Sequence, residues 1–366
     1  MARAAEQVPL AAFTTLGLGG PARRFFEAAT EAELVARVRA ADEQGEPLLV
    51  LGGGSNLVIA DAGFPGTVVR VGTRGIRPEV RDSGAVRLTV AAGEDWDTVV
   101  TQAAGDGLAG LECLSGIPGL AGATPIQNVG AYGQEVAQTL VAVRAYDRSR
   151  RAVTELSHAD CGFGYRTSAF KTAAGRGPVT GRFVVLGVTF ELQRSPLSVP
   201  VRYGELARAL GIGEGGRAPL GDVRAAVLAL RRGKGMVLDP ADPDTRSAGS
   251  FFTNPVLDLA RFADLERAVA GHCGPGVQIP RFPAGPGQVK VPAAWLIERA
   301  GFAKGYSRGP NGQGARISAK HTLALVNPGG ATTASLLALA REVADAVRKV
   351  FGVDLATEPV LVGTEF

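Results

Sequence analysis

At 366 residues the chain exceeds the size a single hydrophobic core usually serves, and 46% apolar content is enough to fill two or three folded domains. Its 39 Lys and Arg against 35 Asp and Glu leave a net charge of +4, carried by scattered Arg rather than by basic runs with interleaved aromatics, which argues against nucleic acid and fits a small anionic ligand. Cys113, Cys161 and Cys273 form no C-x-x-C pair and no cluster with histidine, so neither a disulfide framework nor a metal site is expected; without a run of about 18 apolar residues or a signal-like N-terminus, the expectation is a cytoplasmic protein with no membrane partner.

The first part of the chain alternates short strands and helices. Thr30-Glu31-Ala32-Glu33 is a capping box opening an amphipathic helix with Leu34, Val35 and Val38 on one face, ended by Gly45. Pro47 to Leu51 reads as a buried strand, Gly52-Gly53-Gly54-Ser55-Asn56 as a turn, and Leu57 to Ala60 as a second strand. Strands follow around Thr67 to Val71 and Val86 to Ala91, then a helix around Trp96 to Ala104. The glycine turn is no Rossmann fingerprint, because the apolar run resumes as a strand rather than a helix, and no Walker loop occurs. It is either an ordinary glycine-rich hairpin or a nest of amides for phosphate, with Ser55 and Asn56 as further donors.

From Leu114 to Glu135 the chain becomes too rich in Gly and Pro for a regular element and too long for an idle connection. Gly116, Gly119, Gly122 and Gly130 permit close approach of backbone, while Gln127 and Asn128 can donate to a pyrophosphate or pair with a ring edge. Two such loops on one domain suit a large dinucleotide. Strands resume at Leu140 to Asp147 and Phe183 to Leu192, after which the character changes, and a boundary near 192 to 200 is expected. Beyond it come a helix over 222 to 232 capped by Asp222, a Pro- and Asp-rich loop from Leu238 to Arg246, a short helix from Ala293 to Ala300 with Gly301 behind it, and a long one from Thr333 to Phe351 closed by Gly352. Gly249-Ser250-Phe251-Phe252-Thr253-Asn254-Pro255 has strand character that Pro255 would end, and local composition makes Ser250 a strand residue.

Four segments in order, Gly52 to Asn56, Ile117 to Glu135, Gly164-Tyr165-Arg166-Thr167-Ser168-Ala169-Phe170-Lys171 and Gly249 to Pro255, resemble the UDP-N-acetylenolpyruvoylglucosamine reductase family. Pro125-Ile126-Gln127-Asn128 and Tyr203-Gly204-Glu205 are similar to its type I branch. The resemblance implies an α+β fold: a vanillyl-alcohol-oxidase/PCMH-like FAD-binding domain of two α+β subdomains over 1–192, and a C-terminal α+β substrate-binding domain over 193–366 whose last segment, near 355–366, returns toward the active site. It implies NADPH-dependent, FAD-mediated reduction of UDP-N-acetylglucosamine enolpyruvate to UDP-N-acetylmuramate in peptidoglycan precursor synthesis, by a monomer. The alternative within the same fold is an FAD-dependent alcohol or sugar oxidase. Some oxidases of that fold tether flavin through a histidine in the first glycine turn; Ser55 and Asn56 stand there in this chain, so FAD is expected to bind without a covalent link.

The resemblance assigns FAD contacts to Gly52, Gly53, Gly54, Ser55, Asn56, Ile117, Pro118, Gly119, Gly122, Ala123, Gln127, Asn128, Gly130, Ala131 and Tyr132. It makes Ser250 the proton donor, Arg166 the cation for the developing aci-carboxylate, and Glu358 a partner that orients the reacting groups or shares the proton. Tyr203, Lys234, Asn254 and Glu298 take the substrate, with Arg231 and Arg232 beside Lys234 adding charge that attracts a diphosphate. Thr253 stands where many members carry Lys, and the 235–246 connection is longer than usual for the family.

Overall fold

The computed structural model describes residues 4–171, 179–308 and 314–366. The chain separates into two compact units: one holds residues up to Pro9, 21–55 and 63–237, and the other holds 10–20, 56–62 and 238–366. The expected boundary at 192/193 therefore falls inside the first unit. The change of character near 192 marks strands giving way to helices, since Phe183–Arg194 runs past that point and its last residues pair with Ala109 and Leu108.

In the first unit, Ala5–Pro9, Pro21–Ala28, Phe64–Val71 and Leu48–Leu51 lie side by side in that order, with every pair parallel except the first. Parallel strands are covered on both faces, which explains why Leu48–Leu51 is continuously apolar. The helix Glu31–Glu43 (α1) begins at Thr30, whose hydroxyl accepts from the Glu33 amide in a complete capping box, and it buries Leu34, Val38 and Ala41 against Leu48, Val69 and Val71. A second, antiparallel sheet runs Ala152–Ser157, Leu140–Asp147, Phe183–Arg194, Val86–Ala91, Ile76–Val80. Trp96 opens the helix Trp96–Gly105 (α2) and packs its ring 5.6 Å from that of Phe190 at the sheet's centre.

Helices Gly204–Ala209 (α3) and Leu220–Gly233 (α4) complete the unit with a small core of Val201, Leu206, Val223 and Val227 around Cys113. Helix α4 starts two residues before Asp222, the cap expected from the sequence. Pro219 precedes it with fixed φ and no amide to leave unpaired, so Asp222 sits in the first turn, where the helix dipole favours a carboxylate.

The second unit is built on helices Leu259–Cys273 (α5), Ala293–Arg299 (α6) and Thr333–Phe351 (α7). Helix α7 has the predicted ends, with Gly352 in the left-handed region at φ 67°, and Thr332 caps its start. Helix α5 is a further element, readable in retrospect from Phe262, Leu265 and Val269 on one face. Val360–Val362 pairs in parallel with Leu57–Ile59, the strand that follows the glycine turn in sequence. The GSFFTNP strand is shorter than predicted. It spans Ser247–Ser250, with Gly249 at φ +72° inside an irregular register between Ser247 opposite Val326 and Ser250 opposite Ala324. Among the described residues no helix is long and apolar enough to cross a membrane, and no cluster of His, Cys, Asp and Glu could hold a metal.

Candidate active site

The two glycine-rich segments of the first unit meet. A Cβ on Gly53 would lie 2.6 Å from the Cα of Gly119, one on Gly119 2.7 Å from the Ser55 hydroxyl, and one on Gly122 2.5 Å from the Ala92 Cβ. These glycines are required by the packing of main chain on main chain, whereas Gly52 has only ordinary contacts around it. The second loop cannot move away, since the Gly119 carbonyl accepts from the Trp96 amide at 3.0 Å and the Ala121 and Gly122 amides donate to Glu94 and Ala92 carbonyls at 2.8 and 2.9 Å. Gly52 follows the carboxyl end of a parallel strand, where open α/β sheets place their ligand loops. Among the described residues none accepts from the amides of Gly53, Gly54 or Ser55. Consecutive amides with no acceptor among the described residues suit the diphosphate of a dinucleotide. Ile117, Pro118 and Ala123 stand half-buried along the same loop.

Further along, Gly130–Ala131 pairs with Gln134–Glu135 in a hairpin whose turn holds Tyr132 at φ 50°. Asn128, 2% exposed, spends its side chain inside: its amide donates to Glu135 Oε2 (2.9 Å) and the Gly164 carbonyl (3.1 Å), and its oxygen accepts from the Ala137 amide (3.1 Å). Arg166, itself at φ 54°, donates from Nη2 to the Gly130 carbonyl (2.8 Å) and from Nη1 to that of Asn128 (3.4 Å). The guanidinium is thus fixed against the loop that holds Asn128 and Gly130. A left-handed conformation at a non-glycine residue is strained and recurs at functional sites. Gln127 lies half-buried at the start of this stretch.

Tyr132 also faces α3 and α4. Its ring lies edge-on to that of Tyr203 at 5.5 Å, and the Lys234 ammonium sits 5.7 Å from its centre. Lys234 pairs with Glu205 at 2.6 Å, so the ammonium is held beside the two tyrosines. Burial pushes the Tyr132 phenol up to about 12, keeping it neutral as a donor. Arg231, expected as part of an exposed cationic cluster, is instead buried: its guanidinium donates to the Gly116 carbonyl (3.2 Å) and that of Met236 (2.8 Å). The signal lay in its spacing, four residues after Val227 and eight after Val223, on the core face of α4. Glu205 and Glu135 are the partners that sequence reasoning left unassigned. A cavity of about 310 Å³ opens beside Tyr132, lined in part by Cys113, Gln134, Gln138 and Arg202.

In the second unit Ser250 ends its strand and Phe251 and Phe252 behind it are both 1% exposed, their rings edge-on at 5.2 Å. The Phe251 amide donates to the Leu323 carbonyl and its carbonyl accepts from the Glu358 amide at 2.9 Å, so Glu358 is carried by the segment hydrogen-bonded to the Ser250 strand. Asn56 Nδ2 donates to the Glu358 carbonyl at 3.3 Å, which places Asn56, Ser250 and Glu358 in one hydrogen-bonded framework. Asn254 accepts from the Ala293 amide at 2.9 Å and so fixes the first turn of α6, on which Glu298 accepts from Thr322 at 2.5 Å. The 235–246 connection is clamped by Asp244, which accepts from Arg316 (2.8 Å) and the Ala319 amide (3.0 Å).

Comparison with known proteins agrees with this division of labour. Residues 22–154 match the family model described as FAD binding domain, and residues 240–362 match that of the UDP-N-acetylenolpyruvoylglucosamine reductase C-terminal domain. A UDP-N-acetylenolpyruvoylglucosamine reductase of Thermobifida fusca is 59% identical over 98% of both chains, and one of Streptomyces coelicolor is 57% identical over 98% of this chain and 90% of its own. The crystal structure of the enzyme from Thermus caldophilus, 26% identical, superposes with a TM-score of 0.65 over 99% of this chain and 100% of that one. With its flavin-binding domain, its reductase C-terminal domain and relatives matched nearly end to end, the chain belongs to the type I UDP-N-acetylenolpyruvoylglucosamine reductases.

Proposed function

We propose that this chain reduces UDP-N-acetylglucosamine enolpyruvate to UDP-N-acetylmuramate with NADPH, and that Ser250, Arg166 and Glu358 carry the proton chemistry. The observation that carries the residue assignment is the mounting of Ser250: a strand end locked by two buried phenylalanines and bonded to the segment of Glu358. FAD, when bound, supplies a two-electron carrier between NADPH and the enolpyruvyl double bond. The Gly53, Gly54 and Ser55 amides and the Ile117–Ala123 backbone hold its diphosphate, with Gly52, Asn56, Gln127, Gly130, Ala131 and Tyr132 along the rest of the cradle, and no histidine in the turn is present to tether it. Asn128 serves that cradle by holding the loop's shape.

Hydride addition to the terminal alkene carbon leaves negative charge on the carbon beside the carboxylate, delocalised as an aci-carboxylate. Arg166, always charged and fixed by two carbonyls, stabilises that charge. Ser250 gives its proton to the same carbon. A free hydroxyl is a weak acid, so the step needs the alkoxide stabilised and reprotonated, the part assigned to Glu358. Tyr203 and Lys234 take the uridine diphosphate portion, Lys234 as a point charge steadied by Glu205, while Asn254 and Glu298 line the substrate pocket. The protein is proposed to act as a cytoplasmic monomer.

Half-reactions test the assignment. In Ser250→Ala, anaerobic reduction of the flavin by NADPH keeps its wild-type rate, while reoxidation by the enolpyruvyl substrate slows by about 10²- to 10⁴-fold, the span of a lost general acid. Equal slowing of both half-reactions would remove Ser250 from proton donation.

A further inference from the structure

We propose that Asp97, locked by Arg224, is a positioning residue for flavin binding: together with Arg231 it clamps the Gly116 peptide groups from which the Ile117–Ala123 loop departs. The inference rests on the assignment of that loop to the flavin. Asp97 lies in the first turn of α2, and its Oδ1 accepts the Gly116 amide at 2.6 Å. The same carboxylate takes both terminal nitrogens of Arg224 from α4, Nη1 on Oδ1 and Nη2 on Oδ2, each at 2.7 Å. This is the paired planar geometry that fixes a carboxylate's orientation as well as its charge.

On the other side of the same residue, Arg231 Nε donates to the Gly116 carbonyl at 3.2 Å. Gly116 is therefore held at its N–H by a side chain from α2 and at its C=O by one from α4. The position calls for glycine: φ is +69°, and a Cβ there would meet Leu228 at 2.7 Å and Val237 at 3.2 Å. Burial disfavours ionising Asp97, but hydrogen bonds from Arg224 and Gly116 outweigh it and hold the carboxyl below its ordinary range. Trp96, one residue earlier, donates from Nε1 to the Leu114 carbonyl at 3.1 Å, so consecutive residues of one helix anchor both sides of the loop's entry. The clamp lies a few residues before Gly119, the residue pressed on the glycine turn, and so sets the register in which the two loops meet.

The test is a double-mutant cycle read on FAD affinity, with apoprotein titrated by quenching of flavin fluorescence. Asp97→Asn and Arg224→Gln each weaken FAD by about tenfold, the scale of a charge-assisted bond lost from a partly buried pair. The double variant is no weaker than the worse single one, because the two side chains act as one device. Gln102→Ala, at an exposed position of the helix that carries Asp97, leaves FAD affinity at the wild-type value. Melting of each apoprotein is followed in parallel. FAD affinities within twofold of wild type, or losses that multiply in the double variant, overturn the proposal; so does a fall in apoprotein melting temperature with unchanged FAD affinity, which assigns the pair to bulk stability. Wild-type apoprotein that takes up no FAD would instead refute the loop assignment itself.

Discussion

Gly53→Ala isolates the contact on which the proposed flavin cradle depends. Gly53 is not in the left-handed region, so alanine adopts its backbone conformation without strain and the whole effect comes from space. The new Cβ would lie 2.6 Å from Gly119 Cα, 3.1 Å from Gly119 C and 3.4 Å from Leu120 N. Carbon atoms attract at about 3.5–4.0 Å, so the two main chains must part by about 1 Å. Both neighbours are backbone, and Gly119 is tied by its carbonyl to Trp96, so no flexible side chain can absorb the overlap. Overpacking of this kind costs about 1–3 kcal/mol, which corresponds to a fivefold to hundredfold change in a linked equilibrium. FAD affinity of the apoprotein should therefore fall by about tenfold or more. Gly105→Ala is the matched control: it ends α2 with nothing within 4 Å of a Cβ and with ordinary φ, and it should leave FAD binding unchanged while raising stability by about 0.5 kcal/mol. Fluorescence titration and urea unfolding measure the two quantities. A Gly53→Ala protein that binds FAD within twofold of wild type would refute the reasoning.

Two further predictions concern titration. The Arg182 guanidinium, with help from the Ser149 and Arg150 amides, holds the buried Asp147 carboxyl down to about 2. A depressed acid stabilises the fold above its unfolded value and loses that contribution as pH falls through the folded one, so Asp147→Asn should cost about 1–2 kcal/mol at neutral pH, with the gap to wild type closing between about pH 4 and pH 2 in unfolding curves. The figure is kept low because Arg182 is half open to solvent. Burial, with some help from Glu112, pushes the Cys113 thiol up to about 12. In the folded protein at pH 8 it should resist iodoacetamide and react once unfolded, as peptide mass mapping would show; rapid labelling of folded protein would contradict its place in the α3–α4 core.

Local chemistry made much of the fold legible. The Thr30–Glu33 box, the Gly352 stop and the apolar run from Phe183 to Val188 that opens the strand Phe183–Arg194 each point to their element without tertiary help. What escaped was long-range: Arg231 looked like surface charge because its two carbonyl acceptors lie 115 and 5 residues away, and the exchange of 10–20 and 56–62 into the second unit is fixed by contacts such as Asn327 with the Leu16 carbonyl. The glycines at 53, 119 and 122 were legible as required, but their reason is loop against loop as much as loop against ligand. Ser250 was legible as a strand residue from its neighbours and as a reacting group only through family resemblance; its position at the strand end suits both descriptions.

The most direct measurement is the anaerobic stoichiometry of the flavin-loaded protein given NADPH and UDP-N-acetylglucosamine enolpyruvate, with product followed by mass spectrometry. One NADPH should be consumed for each UDP-N-acetylmuramate formed, with no consumption beyond the first flavin reduction when the enolpyruvyl substrate is withheld. NADPH oxidation that ignores the enolpyruvyl substrate, or turnover that requires oxygen and a sugar or alcohol instead, would contradict the proposed function.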